Sequence, residues 1–195
     1  MFRRLFALTL LATALAGLAG CGDKEATVSV GESEAIFVTL GDLQYQVQMS
    51  RQLNPADSGD SDLLAGIDPA EAQLGAEDLW FGVWVRAFNS SAKNVSTADI
   101  FKIADTRGEE FEPVIVDESN KLVFRKAPVE ADGGQYPNPN SAAANLPTTG
   151  AILIFKLPNP VLNYRPLELE IESSDLPRQE GHRNARRVAL REHRA

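Results

Sequence analysis

The sequence predicts an all-β protein, an antiparallel β-sandwich, on three observations. Leu79-Trp80-Phe81-Gly82-Val83-Trp84-Val85-Arg86-Ala87-Phe88-Asn89 carries apolar and aromatic residues at period two, and Asn89-Ser90-Ser91 stops it like a turn. Leu167-Glu168-Leu169-Glu170-Ile171-Glu172 alternates without a break, which predicts three apolar side chains inward and three glutamates in water. Gly, Pro, Asn and Asp clusters recur between short apolar runs, and helix signals are sparse.

The elements follow in chain order. Arg3 and Arg4 precede an uncharged apolar run from Leu5 to Ala19, which ends in Leu18-Ala19-Gly20-Cys21. The run is shorter than the ~20 residues of a membrane span. It reads as a targeting segment and is excluded from fold reasoning. The order Arg pair, apolar run, Leu-Ala-Gly, Cys resembles the lipobox of bacterial lipoproteins, which implies acylation of Cys21 as the first mature residue. The other reading is an ordinary secretory signal with an incidental cysteine. Cys21 is the only cysteine of the 195 residues, so the chain makes no internal disulfide and no cysteine metal cluster. Residues 1–20 are therefore read as a lipoprotein signal and 21–34 as a tether, with a short strand expected near Thr27-Val28-Ser29-Val30.

Residues 35–175 are read as the folded domain. Ile36–Leu40 predicts a strand, Gly41-Asp42 a bend, and Leu43–Ser50 a cleaner strand with Leu43, Tyr45, Val47 and Met49 inward and the glutamines outward. Asn54–Asp78 is rich in Asp, Gly, Ser and Ala. It predicts a long loop with one helical turn, started by Asp68 as N-cap and Pro69 at the first position. The central strand has two faces: Leu79, Phe81, Val83, Val85 and Ala87 on one, and Trp80, Trp84, Arg86 and Phe88 on the other. Ile100–Ile103 and Phe111–Val116 predict a hairpin across Asp105-Thr106-Arg107-Gly108, whose glycine suits a positive-φ position. Leu122–Phe124 is a short strand. Ala131–Thr149 is irregular, and Ala151–Leu157 is an almost continuous apolar strand ended by Pro158. Residues 176–195 predict a basic tail, either disordered or a short helix over Asn184–Arg194.

Three segments carry a resemblance: Phe81–Asn89, then Phe101–Phe111, then Gly150–Leu157 followed by Arg165-Pro166-Leu167-Glu168-Leu169. Together they resemble the immunoglobulin-like domain of unknown function found in Gram-positive and actinobacterial lipoproteins, to which small secreted immunogenic mycobacterial antigens are similar. The resemblance spans about Ile36 to Glu172. It implies an immunoglobulin-like sandwich and a surface location, and it implies no catalytic residues. The insertion from Asn54 to Asp78 departs from the compact family pattern.

Charge narrows the partners. From Cys21 to Asp175 there are 11 Lys and Arg against 25 Asp and Glu, and from Leu176 to Ala195 there are 6 Arg against 2 Glu. An acidic body repels phosphates, so no nucleic acid partner is expected. Both histidines, His182 and His193, sit in the tail, which leaves the sandwich without a Ser-His-Asp triad or a histidine zinc site unless the tail folds back. Asp132-Gly133-Gly134-Gln135 lacks the lysine and spacing of a phosphate loop. No cofactor is expected.

Three sites remain as candidates. Asp57, Asp60 and Asp62, with Gly59 between them, form either a calcium loop or a solvated acidic loop; the terminal bidentate Glu is missing. Trp80, Trp84 and Phe88 are either covered by the long loop or the tail, or form a binding platform for a peptide, glycan or partner subunit. The tail arginines either contact anionic lipid or wall polymer or fold back on the acidic body. The sequence thus predicts a lipid-anchored, extracytoplasmic, non-catalytic binding or structural module of the cell envelope. It would be attached to the membrane through its N-terminal lipid and meet an envelope protein or glycan. The alternatives are an envelope hydrolase using body carboxylates and a solute-binding lipoprotein.

Overall fold

A computed structural model describes residues 30–177 and 185–191. The signal segment, Cys21, Thr27 to Ser29, both histidines, and Arg178, Arg183 and Arg194 lie outside the described residues.

Among the described residues there are twelve strands: β1 Val30–Gly31, β2 Phe37–Leu40, β3 Leu43–Leu53, β4 Asp78–Asn89, β5 Val95–Ser96, β6 Ile100–Ala104, β7 Glu110–Phe111, β8 Pro128–Val129, β9 Gly134–Tyr136, β10 Ala151–Pro158, β11 Leu167–Glu172 and β12 Arg186–Leu190. The first sheet has the order β1-β12-β11-β6-β7, and the second β10-β4-β3-β2, with β9 pairing the far end of β4. Pairing is antiparallel except for β1, which runs parallel to β12. The protein is an all-β sandwich.

The main core lies between the sheets. The expected inward row of β4, Leu79, Phe81, Val83, Val85 and Ala87, meets Ile103, Leu167, Leu169 and Ile171 across the gap, all buried. Burial of side chains of this size stabilises by about 1.5–3 kcal/mol each. Tyr45 lies in the same core, and its hydroxyl accepts from the Ala98 N–H at 2.6 Å. Burial pushes this phenol up, outweighing that hydrogen bond.

The central strand supplies a second core from its other face. Trp80 and Trp84 pack there with Leu53, Ile152 and Ile154 beneath Leu63, Ile67 and Val116. A register shift between Val47 and Met49 makes this possible. The extra residue at Gln48 reverses the alternation of β3. Leu43, Tyr45 and Val47 face the main core as expected, whereas Met49 and Leu53 face the second one.

Four expectations on structure are corrected. First, the helix of the 54–78 segment is α1 Ser58–Leu64, N-capped by Asp57, which accepts from Gly59 N at 2.9 Å and Asp60 N at 3.2 Å. Asp68 instead closes a turn, accepting from Ala70 N at 2.8 Å. Second, only Phe111 of the 111–116 run joins the first sheet, together with Glu110 before it. Val114 N donates to Ile154 O at 2.8 Å and Phe124 N to Ile152 O at 2.8 Å, so these two segments cover the edge of β10.

Third, part of the tail is a strand. Arg186–Leu190 pairs with β11 and β1, and Val188 and Leu190 enter the main core. Alternation at period two, with Val188 and Leu190 inward, outweighs the weak helical pattern. Among the described residues, strands thus occur from Val30 to Leu190, on both sides of the expected 35–175. Fourth, Glu170 is not in water. It is 3% exposed, beside Arg187 Nη2 at 2.8 Å.

Candidate ligand-binding face

The structure does not bring the three carboxylates of the acidic loop together around one point. Asp57 caps α1 through its Oδ1. Asp60 is buried, and both its oxygens meet the Arg51 guanidinium, at 2.5 and 2.9 Å, while Asn54 N donates to Oδ2 at 2.8 Å. That guanidinium and the Asn54 amide outweigh burial and hold the Asp60 carboxyl below the usual range. Among the described residues, no three His, Cys, Asp or Glu side chains are placed to hold an ion. The reason is local: a capped helix spreads the three carboxylates, and an arginine takes the buried one.

Other carboxylates are turn and ion-pair partners as well. Asp105 accepts from Arg107 N at 2.8 Å and Glu109 N at 3.0 Å, and pairs with the Arg107 side chain. Burial pushes this carboxyl up, but the Glu109 amide and the two Arg107 donors outweigh it and hold it low. Arg107 in turn stacks on Tyr164, 3.6 Å from the ring centroid. Asp99 is also pushed up by burial but held low by Ser174 and Lys126, which tie the β6 entry to the end of β11.

Nor do Trp80 and Trp84 form a platform. Each is 3% exposed under α1 and the 114–123 segment. Only Phe88 of the three aromatic candidates is half-exposed. The reason is the 54–78 insertion, whose Leu63 and Ile67 fill the surface that a shorter loop would leave open.

That cover stops at the bulge. Beyond it, the outer face of the second sheet is open and carries two cross-strand rows. Phe37, Gln46 and Arg86 are register partners on β2, β3 and β4. Thr39, Gln44, Phe88 and Gln135 are partners on β2, β3, β4 and β9. Phe37 is 41% exposed and meets Phe88 edge-on at 5.5 Å. Arg86 lies over the Phe88 ring at 4.7 Å and reaches Gln135 Oε1 at 3.4 Å. Gln46 is fixed by donating to Ala35 O at 2.7 Å, and it accepts from Gln48.

Next to this face lies a cleft of about 840 Å³ between the 118–130 and 133–143 segments. Glu118, Lys121, Arg125, Glu130, Gln135 and Tyr136 are among its lining. Arg125 is committed to its walls, donating to Val116 O at 3.1 Å and Asp117 O at 2.6 Å. Gln135 belongs to both cleft and open face.

Arg86 and the outward glutamines were visible in the alternation of β4 and β3. What no local pattern carried was the bulge and the register, which bring them into rows with Phe37 and Gln135.

No protein-family model matches the sequence, and no curated protein matches it. Among solved structures, the chain is similar to the yjhA protein of Bacillus subtilis, with a TM-score of 0.53 and 12% identity over 82% of this chain and 99% of that one. This likeness bears on the fold alone. Weaker likenesses are to ycdA, a candidate lipoprotein of Bacillus subtilis (TM-score 0.45, 14% identity, 82% of this chain and 38% of that one), and to an uncharacterized β-sandwich protein of Clostridium difficile (TM-score 0.37, 6% identity, 88% and 100%). Among the described residues, no helix is long and apolar enough to cross a membrane.

Proposed function

We propose that the protein is a lipid-anchored, non-catalytic binding module on the extracytoplasmic face of a bacterial membrane. The observation that carries the reading is the order Arg3-Arg4, uncharged Leu5–Ala19 and Leu18-Ala19-Gly20-Cys21, with Cys21 the only cysteine. A free thiol in an exported chain calls for an explanation, and acylation gives one. Only Gly22–Ser29 separates Cys21 from β1, a reach of at most about 29 Å when fully extended. The domain would therefore work close to the bilayer. Its binding surface would be the open half of the second sheet and the adjoining cleft. Kinship with the immunoglobulin-like lipoproteins of Gram-positive and actinobacteria is part of this proposal.

Labelled palmitate and detergent-phase partition test it. The intact chain should incorporate palmitate and enter the detergent phase. Cys21→Ser should do neither. Equal partition of the two forms would sink the anchor.

A further inference from the structure

We propose that the two-row face of the second sheet binds a carboxylate-bearing polysaccharide, with a sugar carboxylate on Arg86 and sugar rings across Phe37, Phe88 and the glutamine amides. This deepens the envelope-binding role and rests on it.

Charge is the first argument. The rows Phe37-Gln46-Arg86 and Thr39-Gln44-Phe88-Gln135 contain no carboxylate. The stretch from Cys21 to Asp175 has 25 of them against 11 Lys and Arg, so an acid-free field with one cation is a local inversion of the body's charge. Among the described residues, Arg86 also differs from other cations without an ion pair, Lys121, Arg125 and Arg186, which donate to main-chain carbonyls. Seven other described Lys and Arg side chains each hold a carboxylate in an ion pair. Arg86 has none among the described residues, and its one side-chain acceptor there is the Gln135 amide at 3.4 Å. Stacking on Phe88 holds the guanidinium in place with donors to spare. A planar fork with free donors fits a carboxylate two N–H bonds at a time.

Shape is the second argument. Four strands side by side make a row about 14 Å long at the ordinary strand spacing. This length suits an extended chain better than a compact solute. Gln135 ends the row and also lines the cleft, where Glu118 and Glu130 offset Lys121 and Arg125. Sugar rings present apolar C–H faces and hydroxyl edges. Phe37 offers an exposed aromatic surface to the first, and the Gln44 amide, without a hydrogen bond among the described residues, offers a donor and an acceptor to the second.

The test titrates trigalacturonate into the intact chain in detergent micelles and follows heat by calorimetry. Saturable binding is expected, weakening as salt rises. The fully methyl-esterified trimer keeps the rings and loses the charge, and it should bind at least about tenfold more weakly. Arg86→Gln should cost about tenfold, and Gln44→Glu, which puts a carboxylate beside Phe88, at least as much. Lys102→Gln, on β6 of the first sheet, should bind as the unaltered chain does. Each variant is melted, so that lost binding is read only from chains with an unchanged transition.

Absence of binding, equal binding of the methyl ester, equal binding of linear polyphosphate, or full affinity in a folded Arg86→Gln chain would each overturn the proposal. The anchor fails separately. A chain that binds the trimer but stays in the aqueous phase keeps this inference and loses the anchor, whereas one that partitions with detergent and ignores the trimer loses only this inference.

Discussion

Arg51 grips Asp60 at both oxygens while its guanidinium lies 5.1 Å from the centre of the Trp84 ring. One side chain of β3 thus holds α1 down and closes the second core over the tryptophan. Asp60→Ala removes the acceptor and leaves Arg51 uncompensated beside apolar surface. We expect a loss of about 3 kcal/mol, the lower end for breaking a buried pair, since Arg51 is partly exposed. A lowered denaturation midpoint with red-shifted tryptophan emission would report it. An unchanged emission spectrum would mean that α1 does not depend on the pair.

The same pair sets an acid limit. Asp60, Asp99, Asp105 and Asp117 are all held below the ordinary carboxylate range. In the unfolded chain each titrates near its ordinary value of about 3.9. Below that pH the unfolded state takes up protons that the folded state still refuses, so stability falls as pH falls. Above it the contribution is complete and flat. We expect denaturation midpoints that are level from about pH 7 to 5 and drop below about pH 4, with a shallower drop in Asp60→Asn.

Removal of residues 178–195 should abolish folding. The cut deletes β12, and with it Val188 and Leu190 from the main core and the only strand partner of β1 among the described residues. Two such side chains are worth about 3–6 kcal/mol together, against a whole-domain stability of about 5–15. Circular dichroism of the truncated chain should show no cooperative melt. A sharp transition at the original temperature would contradict the place given to β12.

Glu170 and Arg187 should respond unequally. Arg187→Ala strips the carboxylate of its 2.8 Å partner, and Glu170 Oε2 has no hydrogen-bond partner among the described residues. A buried charge left unpaired costs about 3–5 kcal/mol. Glu170→Gln with Arg187 intact leaves no stranded charge and should cost less. Melting of the two single variants and the double variant separates these effects. Equal losses would show that packing, not charge, sets the penalty.

Strands with a clean period were legible from the residues alone. β11 occupies Leu167–Glu172 as its alternation requires, and β4 extends its predicted run by one residue. The errors share a cause, which is that the deciding partner lies far along the chain. Asp57 caps a helix that Gly59 argues against, and Asn120, donating to Leu63 O at 3.0 Å and Ala65 O at 2.8 Å, holds its other end. Met49 faces the second core because of a bulge that no local residue announces. The buried state of Glu170 depends on Arg187, 17 residues away, in a segment whose composition reads as a basic tail. At the candidate site, the alternation put Phe88 and the glutamines on the outer face, but which half of that face stays open depends on the fit of Leu63 and Ile67 over the tryptophans.

The parallel pairing of β1 with β12 also orders events in time. β1 leads the described chain, and its register partners are Arg187 and Val188, almost at the chain's end. Until those residues are available, the first strand has no ladder to join among the described residues and the main core lacks Val188 and Leu190. The sandwich cannot close piecemeal as the chain is delivered from its N-terminal end. It must wait for the whole polypeptide, with its most apolar strands exposed in the interval and its contacts weighted toward distant pairs, the arrangement that folds slowly.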